Sequence, residues 1–219
     1  MKKYSTSFAM FLVVVSACIL STSFVYAEET PSFSIGAFGG LAVGTSGEAV
    51  KDYDDTKWEN GTAYGGSVMY RMTNGFGFEL LVEQFEMKLE ENGYDIGTLK
   101  ATPILLMIGY QSKPNNLNIA FHATIGGGVA SSDLDKETGL KDLERYSGVK
   151  IDISNDDAFM FGCGAGIDYF FTRNIALTLG GLFVAGNIDS KWDYRNGESK
   201  NYTLKASNIQ GLVGIRLWF

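Results

Sequence analysis

Gly211-Leu212-Val213-Gly214-Ile215-Arg216-Leu217-Trp218-Phe219 reads as a β-strand with two unlike faces. Counting back from Phe219, every second residue is Leu217, Ile215, Val213, Gly211 and Ile209, all apolar or glycine. The residues between them, Gln210, Arg216 and Trp218 included, are mixed. A strand sends successive side chains to opposite faces, so one face here is apolar, the other is not, and the last residue is aromatic. Two architectures use such a strand: a membrane barrel, which turns the apolar face out to lipid, and the edge of a soluble β-sandwich, which turns it into the core.

The same period of two runs back through the chain. It predicts eight strands, at 33–43, 62–72, 75–87, 98–110, 117–130, 157–170, 174–187 and 203–219. Their connections alternate in length. Thr73-Asn74, residues 111–116 and Phe171-Thr172-Arg173 are short and carry turn residues. Residues 44–61, 88–97, 131–156 and 188–202 are long and rich in Asp, Glu, Lys and Asn. Long loops at one end and short turns at the other is the pattern of an eight-stranded antiparallel transmembrane barrel, with long extracellular loops and short periplasmic turns. A lipocalin-type soluble barrel is the alternative, and the two differ in which face is apolar.

In 174–187, Ile175, Leu177, Leu179, Gly181, Phe183 and Ala185 alternate with Asn174, Ala176, Thr178, Gly180, Leu182 and Val184. In 117–130, Leu117, Ile119, Phe121, Ala123, Ile125 and Val129 alternate with Asn118, Ala120, His122, Thr124, Gly126 and Gly128. The second face is small, glycine-rich and almost free of Lys and Glu. That is too thin for a solvated exterior and suits a narrow lumen, which in an eight-stranded barrel is filled by side chains or holds one small ligand. Phe33, Tyr70, Phe76, Tyr110, Tyr169 and Phe219 gather at strand ends near the short turns, where an interfacial girdle belongs.

The few charges inside strands fall in phase with the lumen face: Arg71, Glu79, Glu83, Asp168 and Arg216, with His122 at the same level. Facing lipid, an Arg near mid-membrane costs about 2–4 kcal/mol. Inside a narrow lumen the two Arg and three carboxylates can pair. They read as a plug that closes the short-turn half, or as a gate or proton path. His122 is the only histidine, so a multi-His metal site is excluded, and no cofactor is called for. Nearer the long loops the lumen face turns apolar, with Phe38, Met160, Leu182, Val184 and Leu212. An apolar chamber over a charged floor suits a small hydrophobic molecule, or else the plain packing of a closed barrel.

The N-terminal residues agree with export. Met1-Lys2-Lys3, the apolar Phe8–Leu20 stretch and Val25-Tyr26-Ala27 predict a secretory signal peptide over residues 1–27 and a barrel domain over 28–219. Lipoprotein processing at Cys18, in Val15-Ser16-Ala17-Cys18, is the alternative. The full chain of 219 residues carries 18 basic and 25 acidic residues, and removal of Lys2 and Lys3 takes the formal charge from −7 to −9. An acidic exported chain is not expected to bind nucleic acid. Cys163 would be the one thiol left, so no internal disulfide forms.

The segment Phe161-Gly162-Cys163-Gly164-Ala165-Gly166-Ile167-Asp168-Tyr169-Phe170-Phe171-Thr172-Arg173-Asn174-Ile175-Ala176-Leu177 resembles small bacterial outer-membrane β-barrel proteins, the OmpX, OmpA-barrel and OmpW types. In them a glycine-alternating strand, an aromatic end, a short Arg-Asn turn and an aliphatic strand recur. The chain's end is similar to their C-terminal insertion signal, which implies that Ile215, Leu217 and Phe219 are read by the barrel assembly machinery. The apolar upper lumen favours the OmpW type. That resemblance implies an outer-membrane location, outer-membrane lipid as surroundings, and a narrow conduit or binding barrel for small hydrophobic molecules. A surface adhesin acting on host surface molecules is the second expectation, because loops 44–61 and 131–156 are long, charged and carry Trp58 and Tyr146. An enzyme is the third. His122-Ala123-Thr124 resembles the His-x-Ser spacing of lipid A deacylases, but Thr replaces Ser and the position is periplasmic, so no enzymatic activity is expected.

Overall fold

The computed structural model describes residues 33–45, 49–51 and 55–219. The expected signal peptide and Cys18 lie outside them. Eleven strands and one helix are described: β1 Phe33–Gly44, β2 Thr56–Trp58, β3 Gly61–Arg71, β4 Phe76–Glu91, β5 Tyr94–Gln111, β6 Ile119–Lys136, α1 Thr138–Ser147, β7 Ile151–Asn155, β8 Ala158–Phe170, β9 Ile175–Tyr194, β10 Ser199–Lys205 and β11 Asn208–Trp218. Among the described residues no helix is long and apolar enough to cross a membrane.

Eight of these strands close a ring, β1-β3-β4-β5-β6-β8-β9-β11, in which every neighbour is antiparallel. Closure is made by β1 against β11, from Ser34 opposite Trp218 to Gly44 opposite Asn208. The strand predicted at the C-terminus is therefore the closing strand, and a closed sheet has no free edge to pair elsewhere.

Side chains alternate as the period of two requires. Ile35, Phe78, Ile108, Phe121, Leu179, Ile215 and Leu217 point outward and are exposed, forming an apolar belt. Glu79, Glu83, Asp168 and Arg216 point inward and are buried. That sense, apolar outside and charge inside, is the opposite of a soluble barrel. Tyr70, Phe76, Tyr110, Tyr169 and Phe219 are exposed at the short-turn end, and Phe33 stacks on Phe219 with ring centroids 6.2 Å apart. At the other end the belt gives way to exposed ion pairs, including Lys100–Asp135 at 2.8 Å and Lys88–Asp95 at 3.5 Å.

The strands run further past the belt than the sequence reading placed them. Residues 88–97, expected as a loop, are a hairpin in which β4 and β5 continue to Glu91 and Tyr94. Asn92 (φ 52°) and Gly93 (φ 85°) make the two-residue turn, the left-handed pair that a tight hairpin needs. Residues 131–156 hold the end of β6, α1 and β7, and residues 188–202 hold the end of β9 and most of β10. The expected strand 203–219 is interrupted at Ala206-Ser207, although β10 and β11 both lie along β9 in one register, Leu204 opposite Ile188 and Asn208 opposite Val184. Charged outward residues disguised these extensions as loop, while their inward positions stay apolar at Leu89, Leu134 and Ile188.

Candidate functional site

The interior divides into a polar floor near the short turns and an apolar column above it. The floor is built on Asp168, which is fully buried on β8. Its Oδ2 accepts from Gln111 Nε2 at 2.5 Å and from Arg216 Nη1 at 3.5 Å, and its Oδ1 accepts from Thr178 Oγ1 at 2.5 Å. The same guanidinium donates through Nη2 to Glu79 Oε1 at 3.0 Å. Arg71 donates to Gln111 Oε1 at 3.3 Å, so the second guanidinium joins Asp168 through an amide. His122 Nδ1 lies 3.6 Å from Asp168 Oδ2, with its ring over Gly166, where a Cβ would come within 2.8 Å of ring atoms. A side chain on Gly166 would push the imidazole off the carboxylate.

Beneath this layer Trp218 is buried against Phe170, ring centroids 6.2 Å apart. The guanidinium carbons of Arg71 and Arg216 stand 4.8 and 6.0 Å from the Trp218 centroid, close enough for cation–π attraction. A crevice of about 10 Å³ among Met69, Arg71, Glu79 and Gln111 has room for about one water. The five strand charges and His122 named from the sequence thus all face inward. Five of them meet in one network, and Glu83 stands apart.

Glu83 is 1 % exposed and sits higher on β4, its Oε1 accepting from Gln210 Nε2 at 3.0 Å. Around and above it the column is apolar. Met160, Leu182 and Val184 are buried with Phe85, Met87, Leu105 and Met107, and Phe38 and Leu212 pack on the cluster. In this conformation side chains fill the upper lumen. Its top is covered by Trp58, which is buried and donates from Nε1 to Lys205 O at 2.7 Å, so Trp58 is not the surface residue expected of a recognition loop. Tyr146 on α1 is, at 87 % exposed.

The wall beside Glu83 is interrupted. Val82 pairs with Ile104 and Phe85 with Ala101 in one register, yet Glu83–Pro103 and Gln84–Thr102 between them do not pair. Proline has no N–H to give the ladder, which is why it is rare inside sheets. On its other side Pro103 still pairs with Ala130.

Sequence reasoning placed Thr178, Trp218 and Gln210 on the inward face without assigning them to the site, and did not name Gln111 or Asn208. Inward parity alone would have added the last two. Neutral side chains on that face carry no signal as strong as a charge, and Gln111 fell one residue beyond the predicted strand. Among the described residues no group of three or more His, Cys, Asp or Glu side chains is placed to hold a metal ion.

With this geometry in hand, comparison places the chain among proteins of the same build. Residues 10–216 match the family described as outer membrane protein beta-barrel domain. The fold is similar to the outer membrane protein OprG from Pseudomonas aeruginosa, with a TM-score of 0.68, 14 % identity and coverage of 87 % of this chain and 97 % of that one. It is also similar to Neisserial surface protein A, with a TM-score of 0.54, 14 % identity and coverage of 85 % and 97 %. A third likeness is AlkL, an outer membrane protein, with a TM-score of 0.53, 13 % identity and coverage of 88 % and 92 %. At these identities the likenesses speak for the fold alone. None of the curated proteins matches the chain in sequence.

Proposed function

Because the chain belongs to the outer membrane protein beta-barrel domain family and so to the bacterial outer membrane, we propose that it takes small apolar molecules from outside into its upper lumen and releases them sideways into the membrane. One observation carries the reading: the β4–β5 ladder breaks at Glu83–Pro103, beside the apolar column and above the polar floor. A molecule entering from the loop end meets an ion network that closes the way to the periplasm. Moving an apolar molecule past those charges would break buried hydrogen bonds, each costing about 1–3 kcal/mol. Parting two strands there breaks fewer, because Pro103 has no N–H to give Glu83 and one bond of the ladder is already missing.

The column suits such a guest because Met87, Met107 and Met160 line it. Methionine is unbranched and adapts to irregular space, so the filled lumen yields room by rotamer change. Burial of Leu182 and Val184 also sets how the reading is tested. An Asp at either position would stand in a dry core and cost folding, so neither substitution isolates function.

The test is uptake of n-octane into cells producing the barrel, against cells without it. Production of the barrel is expected to speed uptake, and Pro103→Ala, which restores an N–H to the ladder, is expected to slow it while leaving yield and heat-modifiable gel mobility unchanged. Equal uptake with and without the barrel would sink the reading. Recognition through the loops, with Leu143 and Tyr146 exposed on α1, would then take its place.

A further inference from the structure

We propose that Glu83, Gln210 and Asn208 form a subsite in the upper lumen for the cationic, hydrogen-bond-donating end of a small aliphatic molecule, a primary alkylammonium. The inference rests on the reading above that the column accepts apolar chains, and adds what the other end of the guest must be.

All three side chains are at most 1 % exposed. Gln210 Nε2 is shared between them, donating to Glu83 Oε1 at 3.0 Å and to Asn208 Oδ1 at 2.9 Å. That leaves Glu83 Oε2, Gln210 Oε1 and Asn208 Nδ2 buried without a partner. Buried polar atoms in native proteins are nearly all satisfied, so three orphans in one cluster mark a place where something else binds.

The chemistry of the orphans selects the guest. Two are acceptors, and one belongs to a carboxylate. A buried carboxylate needs a cation or a proton, because an isolated charge is the costliest group to take out of water. The lumen-facing guanidiniums do not serve it: Arg216 is bound to Glu79 and Asp168 in the floor. Glu79 is four residues below Glu83 on β4, about 13 Å at the rise of a strand. Arg71 bonds Gln111 in the same floor. The lysines of β4 and of its neighbour β5, Lys88 and Lys100, take outward positions and pair with Asp95 and Asp135. An ammonium has three donors and no acceptor. It meets both open acceptors and the charge at once, while its hydrocarbon chain lies along Met87, Met160 and Val184. An alcohol has one O–H to donate, so it meets one of the two acceptors and not the charge, and a carboxylate is repelled.

The experiment uses the full barrel in lipid nanodiscs, with ¹³C-labelled methionine methyls as reporters, so that partitioning into lipid does not register. Hexylamine, 1-hexanol and hexanoate are titrated at neutral pH. The Met87 and Met160 signals are expected to move with hexylamine at the lowest concentration and with hexanoate at the highest. Glu83→Gln, which keeps shape and hydrogen bonding, is expected to weaken hexylamine by about tenfold, the change a charge-assisted hydrogen bond supplies. It should leave hexanol within about threefold. Gln210→Leu, which frees Glu83 from its one donor, should keep the preference for hexylamine. If hexanol binds as tightly as hexylamine, or if Glu83→Gln weakens both alike, the subsite is wrong while the apolar column stands. If none of the three compounds moves the methyl signals, both fail together.

Discussion

The floor and the column occupy the same narrow tube and are held by different physics. In the floor the charged side chains are held by directional contacts: Arg216 lies between Glu79 and Asp168, Asp168 among three donors, and Trp218 under two guanidiniums. In the column Met87, Leu105, Met107, Met160, Leu182 and Val184 meet by shape and volume. Polar networks are specified residue by residue, because one missing partner leaves the others buried and unsatisfied. Apolar packing tolerates exchange as long as volume is kept. On the proposed function, the half that closes the tube is the rigid one, and the half that would admit a guest is the adaptable one.

The sharpest way to break this comparison is to remove its central cation. Arg216→Leu strands Glu79 and Asp168 in the dry floor and is expected to cost about 3–5 kcal/mol, the usual loss when one partner of a buried ion pair goes. Arg216→Leu with Glu79→Leu should cost less than the single change, because one stranded carboxylate goes with the cation. Urea unfolding in detergent followed by gel mobility measures both, and additive costs would mean that the floor charges do not interact.

The neighbouring residue tests facing. Ile215 is 57 % exposed on the belt, one position from buried Arg216. Ile215→Arg places the same guanidinium in lipid and is expected to cost about 2–4 kcal/mol if it lies near mid-membrane. A cost near zero would put Ile215 at the interface and shift the belt. Met160→Leu then probes the column. A volume-conserving exchange there is expected to cost under about 1.5 kcal/mol. A loss as large as that of Arg216→Leu would show that the column is as tightly specified as the floor, and with it remove the argument for an adaptable chamber.

How much of this was legible follows from what a strand writes into its sequence. Parity is absolute in a strand, so one charge in phase fixes a whole face. Arg71, Glu79, Asp168 and Arg216 assigned four strands inward and outward, and Met160 and Leu212 follow on two of them, while Phe38, Leu182 and Val184 follow from the alternation of their own strands. Partners were not legible, because register between distant strands depends on the tilt of the closed ring. The pairing of Arg216 with Glu79, 137 residues away, needed that register. Pro103 stood in the sequence as a strand breaker, but only the ladder shows that its missing donor faces β4 and not β6. The Asn92-Gly93 pair is a hairpin signal in the sequence, but the charged residues around it are equally those of a loop.

The smallest expected effect separates burial from charge itself. Lys136 and Glu144 form an ion pair at 2.7 Å, shorter than Arg216–Glu79 at 3.0 Å, but both members are partly open to water at the loop end. Glu144 also accepts from the Ile151 N–H at 2.8 Å, tying α1 to β7. The Lys136 ammonium, and then this amide, hold the Glu144 carboxyl below the ordinary carboxylate range. A depressed folded value stabilises the state above the unfolded pKa, about 4.3 for Glu, and that contribution is lost as pH falls through the folded value. Hydrogen-exchange protection of the Ile151 amide should therefore be constant from neutral pH to about 5 and decline below the ordinary carboxylate range. Lys136→Ala should cost under about 1 kcal/mol, because exposed pairs are screened and lose side-chain entropy on forming. If it cost as much as Arg216→Leu, distance rather than dryness would set the worth of an ion pair here, and the contrast between floor and surface would have to be drawn on other grounds.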